Sequence, residues 1–480
     1  MRLPFCFGGY CGSGASPSRC SCSPFIFAYP TQRQLDILKE RQKMMEQKSY
    51  VFNRTVPIRA CYDVIVAGSG PAGISAAVAA ARLGAQVALV ERYGCIGGNL
   101  TVGNVGPIMG SVARGTLRDE LTGLLRVGFN DIQGKLGRVH DMNKAVQSLT
   151  ELLEREGVDV YLQSPIVDAM MEDNQVTGVL IGWKDGMFAL KASVVVDATG
   201  DGDVAYFAGC RYDKNPAGAG GLQPVTLMYT LAGVDDDALT CIGEEDMVQL
   251  NGERFLDFTA RCVSQGLLPE HTSSVRLYRT NVPGERLVNT TQANCIDPLH
   301  AADLFKAECI LRSQIEKVTA FLQSFVPGYQ RCYIKHTAKT LGVRESRRFI
   351  GEYVLTDDDL RCGRRFEDVI VHDANFVVDI HNPTGGGQAE GLAEVVKPYD
   401  IPYRCLLPEK VEGLLLTGRC ISGTHRAHAS YRIMTICFAL GEAAGIAAAL
   451  SARHQLSPRA LGYRPVQQQL CKNGAVLFDS

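Results

Sequence analysis

The sequence predicts an α/β fold: a three-layered domain on a parallel sheet with an attached β-meander, split by an inserted α+β domain. Three observations predict it. Residues 62–73, YDVIVAGSGPAG, read as strand, glycine turn and helix. Residues 87–91 read as a second buried strand that ends on an acid. Buried-strand runs return at 194–196 and 413–419, on either side of a long stretch without that rhythm. Short β-branched runs cut off by glycine suit strands buried on both faces.

Val64, Ile65 and Val66 form the first strand, and Gly68, Gly70 and Gly73 fit G-x-G-x-x-G. Gly68 permits the tight turn, Gly70 leaves room for a pyrophosphate against bare backbone, and Gly73 lets helix and strand close. Pro71 and Ala72 open the helix, whose free N–H groups and positive dipole end face the phosphates. Glu91 stands where a carboxylate would meet a ribose hydroxyl pair. A triplet so framed predicts a Rossmann-type dinucleotide site. A glycine turn without a ligand is the bland alternative.

Arg92 follows, then Gly97, Gly98 and Asn99. This segment resembles the E-x-x-x-x-x-G-G extension of flavoproteins, in which paired glycines pass close to the FAD phosphates. The expected cofactor is therefore FAD.

Residues 1–43 read differently from the rest, first rich in cysteine, glycine and serine, then polar. They lack the charged start, apolar run and cleavage site of a secretory signal. They read as a disordered leader. The alternative is a mis-assigned start: Lys39-Glu40 can be encoded AAGGAG, a bacterial ribosome-binding sequence, ahead of Met44 and Met45. Cys6, Cys11, Cys20 and Cys22 have no matching histidine or second C-x-x-C pair, so no metal site is expected.

Residues 100–110 are glycine-rich and should pass the flavin without regular structure. Residues 116–127 and 143–156 read as amphipathic helices, 158–162 as a strand, and 166–190 as a β-meander with turns at Asp173-Asn174 and Lys184-Asp185-Gly186. The strand at 194–196 leads into Asp197, Ala198, Thr199 and Gly200, which resembles the A-T-G motif of FAD enzymes. Asp201 reads as the N-cap of the next helix, and capping suffices for Asp203.

The FAD-binding domain is thus discontinuous, 61–215 and 399–465, with a substrate or cap domain at 216–398. Within the insertion, strands are expected at 225–231, 274–278, 286–289, 333–338 and 376–380, and a long helix at 301–325. Gly385 to Gly387 precede no helix-forming run, so no second dinucleotide site is expected. Residues 401–404 return the chain to the first domain. Gly418 and Arg419 end a buried strand that resembles the late flavoprotein motif closing the cofactor site. Residues 420–429 read as a loop, with Ser430 capping a last helix to Ala452. Near its start, Met434 should lie at the cofactor, and the helix dipole should stabilise negative charge on the reduced pyrimidine ring.

Together YDVIVAGSGPAG, ERYGCIGG, VVDATGDGD, LGVRESRR, IPYRCLLP and GLLLTGRCIS resemble the FAD-dependent oxidoreductases related to the flavin subunit of heterodisulfide reductase. The resemblance spans about residues 60–465 and implies a cofactor rather than a reaction. Some relatives carry iron–sulfur clusters, but this chain has no C-x-x-C-x-x-C run.

Redox work falls to the flavin, and a substrate held over N5 needs an acid or base beside it. The expected catalytic residues are His425, Arg426, His428 and Arg432, as anion clamp and proton carrier, with Arg344 as a second anion contact. Arg432 in a first helical turn would oppose the dipole, which hints at a ligand. Ordinary hydrogen bonding is the bland alternative for the loop. An internal salt-bridge network is favoured for Arg344, Glu345, Arg347 and Arg348, and a structural role for His381, two residues after Asp379. Cys95 has no partner at redox-pair spacing, which disfavours disulfide reduction.

The expected activity is hydride transfer between flavin and a small organic substrate, anionic if the arginines hold it. Electrons then come from that substrate or a separate carrier. The alternatives are an electron-transfer subunit of a larger redox complex and a flavoprotein with purely structural FAD. Charges nearly cancel, 49 Lys+Arg against 51 Asp+Glu, so no nucleic-acid partner is expected. The longest apolar run, 433–450, carries Glu442 and reads as buried helix, so no membrane partner is expected either. Seventeen scattered cysteines in a long chain read as reduced thiols, which suggests a cytoplasmic protein.

Overall fold

The structure is a computed structural model that describes residues 52–125, 139–214, 221–241, 248–390 and 393–478. The described residues from 56 to 478 form one compact unit. Of residues 1–55 only 52–55 are described, so the expected leader, its four cysteines and the alternative start lie outside the described residues. The boundary expected at 215/216 also lies outside them.

A seven-stranded mixed sheet carries the site. Strand β1 (Ile58–Ala67) is central and leads into helix α1 (Pro71–Arg82). Next come β2 (Val87–Val90), helices α2 (Leu117–Leu125) and α3 (Met142–Arg155), and β3 (Asp159–Tyr161). The meander is β4 (Ile166–Glu172), β5 (Gln175–Trp183) and β6 (Gly186–Asp197). Strand order is β3-β2-β1-β6-β5-β4. Val64 pairs in parallel with Val87 on one side and Val194 on the other, which brings the ends of β1, β2 and β6 to one edge. Ligands bind at such carboxyl ends in open α/β sheets.

The insertion holds a four-stranded antiparallel sheet. Its strands are β7 (Tyr229–Ala232), β8 (Arg276–Arg279), β9 (Arg286–Asn289) and β10 (Tyr333–Thr337), in the order β8-β9-β7-β10. Helix α4 (Ala301–Phe325) supplies Leu311, Ile315, Val318 and Leu322 to a second apolar core that runs from Val225 to Leu341. Their spacing of three and four residues is one helical face. Phe349, Val369, Tyr399 and Ile401 pack into the first core instead. The chain rejoins the main sheet at β11 (Leu414–Leu416), parallel to β6.

Three local expectations are corrected. Residues 376–380 form no strand; Val378 makes only an isolated bridge to Glu394. Asp201 is not a cap, because Gly202 holds that position at φ 66° in a conformation that favours glycine. The stretch read as a loop contains helix α5 (His425–Tyr431), capped by the Thr424 side chain, and the chain then starts α6 (Met434–His454) after Ile433. Ser430 accordingly caps nothing; it donates to the Phe376 carbonyl at 2.6 Å.

Helix α6 is long and apolar enough to cross a membrane, yet 94% of its apolar window is buried within the protein. It packs in backbone contact with α1. A Cβ added at Gly441 or Gly445 would lie 2.1 Å from the carbonyl oxygen of Ala72 or Ala76. Gly445→Ala is therefore expected to cost about 1–3 kcal/mol by forcing the helices apart. The denaturant midpoint should fall, and an unchanged midpoint would refute the close packing.

Candidate active site: a cleft between the glycine turn and the inserted sheet

One cleft, of ≈ 400 Å³, runs from the glycine turn to the inserted sheet. At the turn, helix α1 has no side-chain cap and no acid in its first turn, so its N–H groups stay available to an anion. A Cβ on Gly70 would meet nothing within 4 Å, whereas one on Gly73 would strike the Gly68 carbonyl at 1.8 Å. Gly98 folds back over Gly70, with its added Cβ 3.1 Å from the Gly70 Cα.

Glu91 is locked in place. Its Oε2 accepts from the Ser69 backbone N–H (2.8 Å) and hydroxyl (2.6 Å), and its Oε1 accepts from Tyr93 N–H (2.8 Å). It lines the cleft with Oε1 lone-pair capacity left for a ribose hydroxyl. At the far wall Arg419 donates to Asp201 at 2.5 Å, while Asp197 accepts from Thr199 and Ala205 and closes the turn after β6. Burial pushes the Asp197 carboxyl up to about 6, against the pull of those bonds. The N-terminus of α6, also without a side-chain cap, enters the cleft through Ile433 and Met434.

Of the expected cofactor residues, Gly68, Gly70, Pro71, Ala72, Glu91 and Arg92 line the cleft, as do Gly98, Asn99, Ala198, Thr199 and Gly200. Gly418, Arg419 and Met434 join them from the late segment. Gly73 and Gly97 stand behind the wall and act through packing. Two uncapped helix ends, a bare glycine and a buried acid fit the pyrophosphate, flavin and ribose of FAD.

Three expected catalytic residues are not in the cleft. His425 hydrogen-bonds Glu345 through Nδ1 at 2.7 Å. Arg426 points to the acids Glu390, Glu394 and Asp357. His428 is fully buried against Tyr431, without a hydrogen-bond partner among the described residues. Burial, with Arg432 and Arg348 nearby, holds its ring well below the usual histidine range, so it stays neutral. A seven-residue helix turns these side chains away from the cleft, where the loop reading had placed them beside the flavin.

Arg432 and Arg344 do line the cleft, and the structure adds Asp379 and His381. Arg432 is the C-cap of α5, where a cation suits the dipole, but it also directly precedes Ile433, the N-cap of α6, where a cation opposes it. Its guanidinium donates to the Asp379 carboxylate and carbonyl, each at 3.0 Å. Gln388 donates to the other carboxylate oxygen at 2.6 Å. Burial opposes ionisation of Asp379, but His381, Arg432 and Gln388 outweigh it and hold the carboxyl well below its usual range. His381 places Nε2 3.5 Å from Asp379 Oδ2. Burial and then Arg344 bring its pKa down to about 4, against the pull of Asp379. The D-x-H spacing is the sequence signal, for which a structural histidine is favoured over an acid or base in the site; the structure places both residues in the cleft.

Arg344 has one hydrogen bond among the described residues, from Nη1 to the Pro224 carbonyl at 2.7 Å, and no carboxylate partner there. Burial and then Arg432 push it down to about 10. Arg347 and Arg348 are internal by contrast, paired with Asp203 and with Glu345 and Asp213. Every described cysteine is free, and burial raises Cys95. Among the described residues no group of three or more metal-ligating side chains occurs.

The fold and the cleft define a flavin-dependent α/β redox protein. Residues 63–470 match the family model described as FAD dependent oxidoreductase, and the chain belongs to that family, with FAD as cofactor. A thiamine thiazole synthase of Aeropyrum pernix is 32% identical over 29% of this chain and 54% of its own length. A digeranylgeranylglycerophospholipid reductase of Methanococcoides burtonii is 25% identical over 38% and 47%. The chain thus spans about half the length of the curated relatives it matches. Among solved structures, a geranylgeranyl bacteriochlorophyll reductase-like protein of Thermoplasma acidophilum matches with TM-score 0.46 and 15% identity, over 87% of this chain and 84% of that one.

Proposed function

We propose that this protein transfers a hydride between FAD and a small anionic organic substrate held at the inserted-domain end of the cleft. The observation that carries the reading is Arg344, a cleft-lining guanidinium without a carboxylate partner among the described residues. A cation withdrawn from water is costly unless an anion joins it. Bound FAD supplies the two-electron chemistry. Arg344 binds the anion, Arg432 and Gln388 fix Asp379, and Asp379 orients His381 to carry a proton. Val343, Met228 and Leu341 give the apolar body of a substrate a surface and exclude water.

Electrons come from the substrate itself or from a separate carrier. Kinship with the flavin subunit of heterodisulfide reductase, and a bacterial cytoplasmic setting, rest on the sequence motifs and cysteine usage. Arg344→Met is expected to weaken anionic reductants roughly 10- to 100-fold, the worth of a charge-assisted hydrogen bond, with Arg344→Lys in between. Anaerobic bleaching of the flavin band against reductant concentration measures this. An Arg344→Met protein with the parent's concentration dependence would overturn the reading.

A further inference from the structure

We propose that the substrate is a 2-hydroxy carboxylate, held by Arg344 through its carboxylate and facing His381 through its hydroxyl. This deepens the function proposed above and rests on it. The argument begins with two consecutive residues. The Gln223 side-chain oxygen accepts the His381 backbone N–H at 3.2 Å, and the Pro224 carbonyl accepts from Arg344 at 2.7 Å. Neighbouring Cα atoms lie about 3.8 Å apart, so one short segment spaces the two groups. Gln223 is itself fixed: it is 1% exposed, and its N–H meets Glu345, the residue after Arg344. The Arg344 guanidinium is also close enough to depress His381, so an anion on Arg344 lies near the imidazole.

The imidazole has a defined role. Asp379 Oδ2 faces Nε2, which keeps the proton on that nitrogen. Nδ1 then carries the lone pair, and it has no protein partner among the described residues. The pair works as a general base with its orienting carboxylate.

Charge selects the hydroxyl over an amine. Both Asp379 oxygens are engaged, one by Gln388 and the other by Arg432 and His381. Against that single acid stand Arg344 and Arg432, with a neutral histidine between, and Arg276 also lies close enough to depress Arg344. The balance is positive, and a carboxylate reduces it. The ammonium of a 2-amino acid would face two guanidinium groups with no unengaged carboxylate, so only the hydroxy acid matches the field.

The step balances. The O–H bond of the substrate breaks and its proton goes to Nδ1 of His381. The C2–H bond breaks with its electron pair, and the hydride goes to FAD. The C2–O single bond becomes the carbonyl of a 2-oxo acid. The substrate loses two electrons and FAD gains them.

The test uses the FAD-loaded protein without oxygen. The panel is both enantiomers of lactate, malate and 2-hydroxyglutarate, against propan-2-ol, 3-hydroxybutyrate, alanine and glutamate. At least one 2-hydroxy acid is expected to bleach the flavin band and yield one 2-oxo acid per flavin, more slowly when C2 is deuterated. Oxamate, an unreactive mimic of the product, reports binding through a shift of the flavin spectrum. His381→Gln should keep FAD and the oxamate shift but bleach about 100-fold more slowly or worse, as loss of a general base requires. Arg344→Met should keep FAD and lose the oxamate shift. The bleaching rate should hold at neutral pH and fall as pH drops through about 4, where His381 takes up its proton; a limb at the free-histidine value, about 6.5, would count against the base. Bleaching by an amino acid or a neutral alcohol, with no response to any 2-hydroxy acid, overturns the substrate class. If that other reductant still needs Arg344, the broader anion reading survives. If oxamate binds Arg344→Met as it binds the parent, both readings fall.

Discussion

A Gly70→Ala protein is expected to fold as the parent does and to bind FAD about 10- to 100-fold more weakly, the consequence of overpacking by 1–3 kcal/mol. Gly70 sits at φ −67° and ψ −178°, extended backbone that alanine adopts without strain. Its new methyl would meet nothing within 4 Å. The apoprotein should lose less than about 1 kcal/mol, the scale of a helix cap change. The methyl would instead stand in the open cleft, against the path of the pyrophosphate. Gly73→Ala makes the contrast. Its methyl would lie 1.8 Å from the Gly68 carbonyl oxygen, so helix and strand must part before any ligand arrives. Fluorescence titration with FAD and denaturation of the apoprotein separate the two cases. Both variants should bind poorly, but only Gly73→Ala should unfold earlier. Parental FAD affinity in Gly70→Ala would show that the phosphates take another route.

That contrast also shows what the chain made legible. The strand, turn and helix at 58–82 follow from local rules that agree with one another: a buried apolar run, glycines where backbone crowds backbone, and proline at the first helical position. Helix α4 occupies the 301–325 predicted from its spacing. The short helix at 425–431 was not legible. Seven residues are too few to establish a period, and its histidines and arginines read as a loop. Asp379 and His381 sit in irregular backbone. Their meaning comes from Arg432, Gln388 and Arg344, contacts that local propensity does not encode. The dense charge at 344–348 was visible in the sequence, but its division was not. Arg344 faces the cleft while Glu345 and Arg348 pair in the interior; residues 343–347 are irregular backbone, so no period in the sequence encodes which side chain goes where.

Glu345→Ala should lower folding stability by about 3–5 kcal/mol, the effect of stripping the partner from a buried charge. Glu345 has no exposed surface and Arg348 only 1%. One carboxylate oxygen of Glu345 accepts from both Arg348 and His425. The other accepts from the Gln223 N–H, whose side chain in turn holds His381. Removing the carboxylate leaves Arg348 with Asp213 alone, a half-exposed partner at 2.7 Å that is screened by water. It also frees the segment that spaces Arg344 from His381, so substrate affinity should fall along with stability. The paired substitution Glu345→Leu with Arg348→Met removes both charges, and apolar side chains of similar volume replace them. Most of the lost stability should return, because a buried ion pair contributes little net energy while a broken one costs much. Denaturant titration of the parent, the single variant and the pair measures the three values. If the pair is no more stable than Glu345→Ala, the loss comes from packing or from the Gln223 contact, and the unpaired Arg348 charge is not its cause.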